Sequence, residues 1–502
     1  MATANGGRDE DGGAKRQAGL LCALTLVFCL PAILNGTPFV YVDTATYLAQ
    51  GQEAMRAFLP WLVPEGAAVM PTAADAPPVA AIASPDAQPV VGGRSIYYGL
   101  AAYAAMAMTG GWAMVVAQAA ALAWPILLIT RRVAGRRWTW AALLLSLVAA
   151  FGTPAGVFAG LVTPDIWAAA MVLAVAALAV CRSLGRGARA SLYAIVAYAG
   201  LVHTSHLLVL ASATAVFWAI RWARGGQPMG QRPFESGLTA CVAVGVAGAI
   251  VFGAVVEQRY GAPPISRPHL TARLIDSGPG AQAANAACAD GADLAICDHL
   301  DRIPQRWTAF LFDPDPATGV FDPASPAQKR ALAADDKRFA AATFAHAPFG
   351  TLWALTRDAG QQVLMFDVYG TPTTANARAA TMLTFTPDIR AGIRSGRSFA
   401  RPDLFAVLDT VHRWLTGLAL GVAALAFGAA AFSDRSVDRN AALVFAVCVG
   451  GVLLNAAVCG ALASPYGRFG ARIAWLIVIA VPLLATSLPQ TLPALRRKVA
   501  LP

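Results

Sequence analysis

The chain has 502 residues and a formal net charge of +10; 57% of its residues are hydrophobic, only 13% are charged, and the mean hydropathy is +0.55. A soluble domain carries about 25% charged residues, so this composition excludes a soluble globular protein. The basic residues fall in short clusters between apolar runs, which is the pattern of membrane topology rather than of nucleic-acid binding, and no nucleic-acid partner is expected. Apolar runs of roughly 18–20 residues are long enough to cross a bilayer and too continuous for barrel strands, so the fold class is an all-α polytopic membrane protein.

In chain order, residues 1–18 read as a disordered cytoplasmic N-terminus, Gly- and charge-rich. The membrane module 19–257 then opens with the apolar run Gly19 to Leu34. No small-residue cleavage site follows convincingly, so this run is read as a retained helix. Residues 35–94 form a first external loop, in which Thr44 to Leu59 reads as an amphipathic helix on the membrane surface, with Asp43 as its N-cap. Pro60 to Pro89 is Pro- and Ala-rich without a period. Ser95 to Met108 is apolar but short, a re-entrant or interfacial helix.

Spans are expected at Trp112 to Ile129, Trp138 to Phe151 and Pro164 to Val180, the last with Thr163 as N-cap. Leu192 to Ile220 leaves and re-enters the cytoplasm with its turn near His203-Thr204-Ser205-His206. Gly237 to Val256 is the next span. An external domain, 258–403, follows, with candidate helices at Pro326 to His346 and Gly350 to Val368. The C-terminal membrane module, 404–502, adds Phe405 to Phe432, Ala441 to Leu462 and Ala471 to Leu488. About ten spans result, with both termini inside. The short inside segments hold eighteen basic residues (Arg8, Lys15, Arg16, Arg131, Arg132, Arg136, Arg137, Arg182, Arg186, Arg189, Arg221, Arg224, Arg232, Arg435, Arg439, Arg496, Arg497, Lys498) against four outside (Arg56, Arg94, Arg468, Arg472), which fixes the orientation. A bacterial inner membrane is the expected location.

Six of the eight cysteines are lone residues in apolar runs, where Cys acts as a small hydrophobe. Cys288 and Cys297 lie in the long polar loop, where a disulfide forms if that loop faces an oxidising compartment.

The unusual polar residues Asp43, Arg94, Asp165, His203, His206, Tyr466, Arg468 and Arg472 all fall at the outer ends of spans. They come from five well-separated segments, so only the fold can unite them. Asp43 reads as a general base or as a helix cap. The flanking Tyr41 and Tyr47 suit a sugar ring or the membrane interface. Asp165 reads as a second acid or as a complement to a helix dipole. His203 and His206, three apart, share a helix face and read as an acid–base pair, as caps or, with Asp43 and Asp165, as ligands of a divalent metal ion. Arg468 and Arg472 put two cations at a helix N-terminus, against its dipole, and call for an anion such as a lipid phosphate; snorkelling to headgroups is the plainer reading. Arg94 is a second candidate phosphate contact.

In this arrangement the chain resembles the GT-C type integral-membrane glycosyltransferases. The resemblance is architectural and spans most of the chain. It rests on a first helix followed by an external loop with Asp43 and a juxtamembrane helix, on Asp165 in the next external loop, on short paired intramembrane helices, on a large external insertion, and on Arg468 or Arg472 beside the final helix. It implies a polyprenyl-phosphate-linked sugar as donor, a glycan, lipid or protein as acceptor, chemistry at the external face in the cell envelope, Asp43 as base, and an arginine on the donor phosphate. The first loop lacks a second acid beside Asp43, and no Trp-Trp-Asp signature occurs. Two other functions fit the composition. A transporter or lipid-linked-sugar flippase needs polar residues at mid-membrane, where this chain offers chiefly Gln118 and Asn455. A non-catalytic assembly protein would use the external domain to bind a partner.

Overall fold

The structure, a computed structural model, describes residues 6–62, 92, 95–225, 233–303, 305–368, 385–401, 403–431 and 438–486. Arg94, the Pro- and Ala-rich stretch 63–91 and the tail 487–502 lie outside these residues. The fold is all-α, with a parallel bridge between Phe39 and Leu161.

α1 (Gly6–Asn35) begins thirteen residues ahead of the expected start at Gly19, through the segment read above as disordered. Once a helix is nucleated in the apolar run, adding residues to its end costs little. α2 (Val42–Phe58) and α3 (Ile96–Thr109) pack against each other at one end of the bundle, called here the site end. Their backbones meet at Gly51 and Gly99: a Cβ on Gly99 would sit 2.8 Å from the Tyr47 carbonyl oxygen, and one on Gly51 would overlap the Gly99 carbonyl. Gly51→Ala is therefore expected to destabilise the fold by about 1–3 kcal/mol through overpacking. Gly19→Ala, whose Cβ meets nothing within 4 Å, should be neutral or stabilising. Thermal unfolding of both variants in detergent checks the contrast.

α4 (Trp112–Val133) and α7 (Ile166–Val180) form the centre of the membrane bundle. Around them pack α1, α5 (Trp138–Gly152), the short α6 (Ala155–Gly160), α8 (Arg186–Val202), α9 (Thr204–Ala223) and α10 (Pro233–Tyr260). Among the described residues, seven helical stretches are long and apolar enough to cross a membrane: Lys15–Asn35, Trp112–Val133, Thr204–Ala223, Phe234–Tyr260, Asp403–Gly428, Arg439–Leu462 and Gly467–Ala485. The three remaining spans of the expected ten are shorter. α5 and α7 have 15 residues each and α8 has 17, so at about 1.5 Å per residue they fall short of a hydrocarbon layer of roughly 30 Å. α7 tolerates this because protein rather than lipid surrounds it; every residue but Ala179 is buried.

A second core lies beyond the site end. α11 (His269–Ser277), α12 (Pro279–Ala289), α13 (Trp307–Phe312) and α14 (Pro326–His346) gather around Ile275, Phe310, Phe321 and Phe339. A reciprocal cap opens α14: Ser325 N–H donates to Gln328 Oε1 at 3.0 Å, and Gln328 N–H to Ser325 Oγ at 3.3 Å. Cys288 and Cys297 are joined in a disulfide. α15 (Pro348–Leu364) leaves this domain and packs along a membrane helix, α19 (Arg439–Leu462). The two are clamped by the buried Arg273, which pairs with Asp358 of α15 and donates to the Ala461 carbonyl at 3.2 Å. Short α16 (Pro387–Ser395) and α17 (Arg397–Ala400) precede α18 (Asp403–Ala431). After α19, α20 (Gly467–Ala474) and α21 (Leu476–Thr486) run back through the bundle.

Candidate functional site

Three junctions, one between backbones and two through side-chain carboxamides, bring distant residues together at the site end. Phe39 N–H donates to the Gly160 carbonyl at 2.9 Å, and Val162 N–H to the Phe39 carbonyl at 3.0 Å, which ties the Asp43 segment to the turn before α7. Gln118, fully buried on α4, holds that turn from behind. Its amide donates to the Ala159 and Leu161 carbonyls at 2.9 Å each, and its oxygen accepts from the Tyr98 hydroxyl at 3.1 Å. The third junction seats α20. Gln362 of α15 accepts from Tyr466 N–H at 2.8 Å and donates to the Tyr466 carbonyl at 3.0 Å. Gly467 and Gly470 have no Cβ, which leaves room for the Asp367 side chain and the Met365 carbonyl. The sequence Gly467-Arg468-Phe469-Gly470 thus presents Arg468 between two close approaches.

The charged side chains form one chain of contacts. Asp43 Oδ2 accepts from Arg468 Nη1 at 2.7 Å. Arg468 Nη2 donates to Asp165 Oδ2 at 2.5 Å, and Thr163 Oγ1 donates to the same oxygen at 2.7 Å. Arg472 Nη1 reaches Asp165 Oδ1 at 3.4 Å. Arg472 Nη2 also lies 2.8 Å from Asn455 Oδ1, 3.0 Å from Ser205 Oγ and 3.2 Å from Cys459 Sγ. Two carboxylates and two guanidiniums balance, as buried charge requires. This also answers the dipole problem of two arginines at a helix start: Asp165 and Asp43 supply the compensating anions.

Burial is graded along this chain. Arg472 is 0% and Asp165 2% exposed, Arg468 is 7% exposed, and the Asp43 side chain is 16% exposed. At the mouth, the Arg468 guanidinium lies 4.2 Å from the centre of the Tyr41 ring. The Tyr41 hydroxyl is 3.4 Å from that of Tyr466, which is 42% exposed. Burial pushes the Tyr41 hydroxyl above the usual phenol range, more than the nearby Arg468 charge lowers it, so it stays a neutral donor.

Several expectations are corrected. Asp43 is not the N-cap of α2: Tyr41 occupies that position, and Thr44 Oγ1 accepts its N–H at 3.0 Å. A threonine three residues on does the capping, so the carboxylate is left for Arg468. Thr163 is not the cap of α7; its hydroxyl goes to Asp165. Arg472, expected beside a donor phosphate, is fully buried behind Asp165 and held by Asn455. Tyr47, expected to face a ring or the interface, is buried between α2 and α3 and meets Tyr98 edge-on at 5.1 Å. The turn between α8 and α9 falls at His203, whose Nδ1 accepts from Ser205 N–H at 3.1 Å. His206 is fully buried and stacks on His203 at 4.9 Å. Arg94 lies outside the described residues.

A divalent metal does not fit this donor set. Both carboxylates already carry guanidiniums, and among the described residues no group of three or more His, Cys, Asp or Glu side chains converges to hold an ion. Asn455, Gln118, Ser205 and Gln362 were not singled out as site residues from sequence. The signal for the first two was present, since a carboxamide inside an apolar helix needs partners. Comparison with family models, curated proteins and solved structures finds no match to this chain.

Proposed function

We propose that this protein is a membrane glycosyltransferase that moves a sugar from a polyprenyl-phosphate donor to an acceptor hydroxyl, with the site end facing outward from a bacterial inner membrane. The observation that carries the reading is the graded charge chain: one carboxylate, Asp43, stands at the mouth of a buried cluster and shares a guanidinium with the fully buried Asp165. The basic bias of the opposite end supports an outward-facing site. The Cys288–Cys297 disulfide belongs to the same side and suits an oxidising compartment.

In the reaction proposed, the bond between sugar C1 and the phosphate oxygen breaks, and its electron pair leaves with the phosphate. The acceptor oxygen forms the new bond to C1 from the opposite face, and its proton passes to Asp43. Arg468 serves both partners. As the leaving phosphate gains charge beside it, its hold on Asp43 weakens, and the carboxylate's proton affinity rises when the proton arrives. Asp165, Arg472 and Asn455 keep Arg468 in place. Tyr41 and Tyr466 offer ring faces and hydroxyls at the mouth for a sugar. No step uses a metal ion.

Gln118 and Asn455, the polar span residues a transporter would need along its path, are engaged in holding the site. The purified protein in liposomes, given mixed polyprenyl-phosphate sugars and envelope extract as acceptor, is expected to release free polyprenyl phosphate and a glycosylated product. Movement of the donor between leaflets with no chemical change would replace this reading with the flippase.

A further inference from the structure

We propose that α15 is a membrane-docking helix: its outward face lies on the bilayer leaflet at the site end, from the headgroups into the acyl chains, although it belongs by sequence to the polar external segment. The proposal does not rest on glycosyl transfer.

The two faces of α15 differ sharply. Thr351, Ala354, Asp358 and Gln362 are buried. This face meets α19 so closely that a Cβ on Gly460 would lie 2.6 Å from the Asp358 carbonyl oxygen and 2.7 Å from Ala359 Cα. On the other face, Phe349 is 86%, Leu352 59%, Trp353 69% and Leu364 78% exposed. The three- and four-residue spacing continues through Thr356, whose hydroxyl is tied to the Leu352 carbonyl at 2.8 Å, and Gly360, which opens onto free space. The stripe is uncharged from end to end. Arg357 beside it is paired with Asp358 at 2.8 Å.

The depth of the helix identifies what covers this stripe. The Met365 carbonyl abuts Gly470. The neighbouring Phe469 carbonyl accepts from Asn455 Nδ2 at 2.7 Å. Asn455 lies seven residues before Leu462, the end of the membrane-spanning α19, which at about 1.5 Å per residue is about 10 Å inside that end. The foot of α15 therefore reaches acyl depth, and Leu364 there is exposed, as are Leu453 and Leu462 of the membrane-spanning α19 beside it. From Leu364 the helix rises to Trp353 over eleven residues, which brings an exposed indole to headgroup level, where Trp is favoured. A water-facing helix would not leave four large apolar side chains open on one stripe.

The test replaces Leu352, Trp353 or Leu364 in the full chain by the photo-crosslinker p-benzoylphenylalanine, with exposed Ala327 of α14 as control. The protein is held in nanodiscs of phosphatidylethanolamine and phosphatidylglycerol, irradiated and weighed intact. Lipid adducts at 352, 353 and 364 with none at 327 are expected. If the 353 variant fails to fold, 352 probes the same level. Unmodified protein at these sites, lipid adducts at 364 alone, or cross-linked dimers in place of lipid adducts would each overturn the proposal, the last in favour of a second copy of this chain.

Discussion

Asp165→Asn is expected to cost about 3–5 kcal/mol of stability, the largest effect of any single change in the charge cluster. The carboxylate is 2% exposed and accepts from two guanidiniums and the Thr163 hydroxyl. An asparagine has nearly the same shape, so packing survives while the charge does not. Its amide also brings two donors to a place that already holds donors only. Arg472, 0% exposed, keeps Asn455 but loses its counter-charge at a depth that bulk solvent does not reach. Arg468 keeps Asp43 alone. The expected result is a large drop in thermal midpoint in detergent, or a chain degraded before purification. Pairing Asp165→Asn with Arg472→Gln removes both members of one ion pair and should recover part of the loss; the coupling in that double-mutant cycle measures their interaction. An Asp165→Asn protein as stable as wild type would mean that the two guanidiniums need no buried anion.

How much of this was legible in the sequence depends on the range of the interaction concerned. Hydropathy located the spans, because a lipid-facing helix must be apolar along its length. Three of the expected spans are shorter than a full crossing: α7, buried among other helices, is as apolar as a span at about three quarters of the necessary reach. The meeting of Asp43, Asp165 and Arg468 was foreseen from their common side of the membrane. Their pairing was not, since it depends on a bridge between Phe39 and Leu161 and on one carboxamide, Gln118, behind it. Capping failed at short range: a threonine at position 44 competes with the carboxylate at 43, and composition alone does not say which one bonds the free N–H. Tyr47 looked like an interface residue, but Gly51 and Gly99 let α2 and α3 close over it. Outside the cap, the deciding contacts join segments far apart in the chain, where no local pattern carries the information.

Asp43→Asn is the complementary experiment, with the opposite signature. The Asp43 side chain is 16% exposed, and its partner Arg468 retains Asp165 at 2.5 Å. The asparagine oxygen can still accept from Nη1, so the loss of stability should not exceed about 1 kcal/mol. A carboxamide, however, takes no proton from an acceptor hydroxyl. If Asp43 is the base, sugar transfer falls by about 10²- to 10⁴-fold while the thermal midpoint and the Cys288–Cys297 disulfide are preserved. Donor binding separates this role from a merely structural one. With Arg468 partly released from Asp43, affinity for a polyprenyl-phosphate donor should be unchanged or higher, so the defect appears in kcat rather than in KM. Arg468→Lys should do the reverse. A lysine keeps the charge but cannot bridge two carboxylates and a phosphate with one planar fork, so KM rises along with the loss of rate. Full transfer by Asp43→Asn would leave the mouth carboxylate with no chemical task and return it to the ion-pair network as a purely structural member.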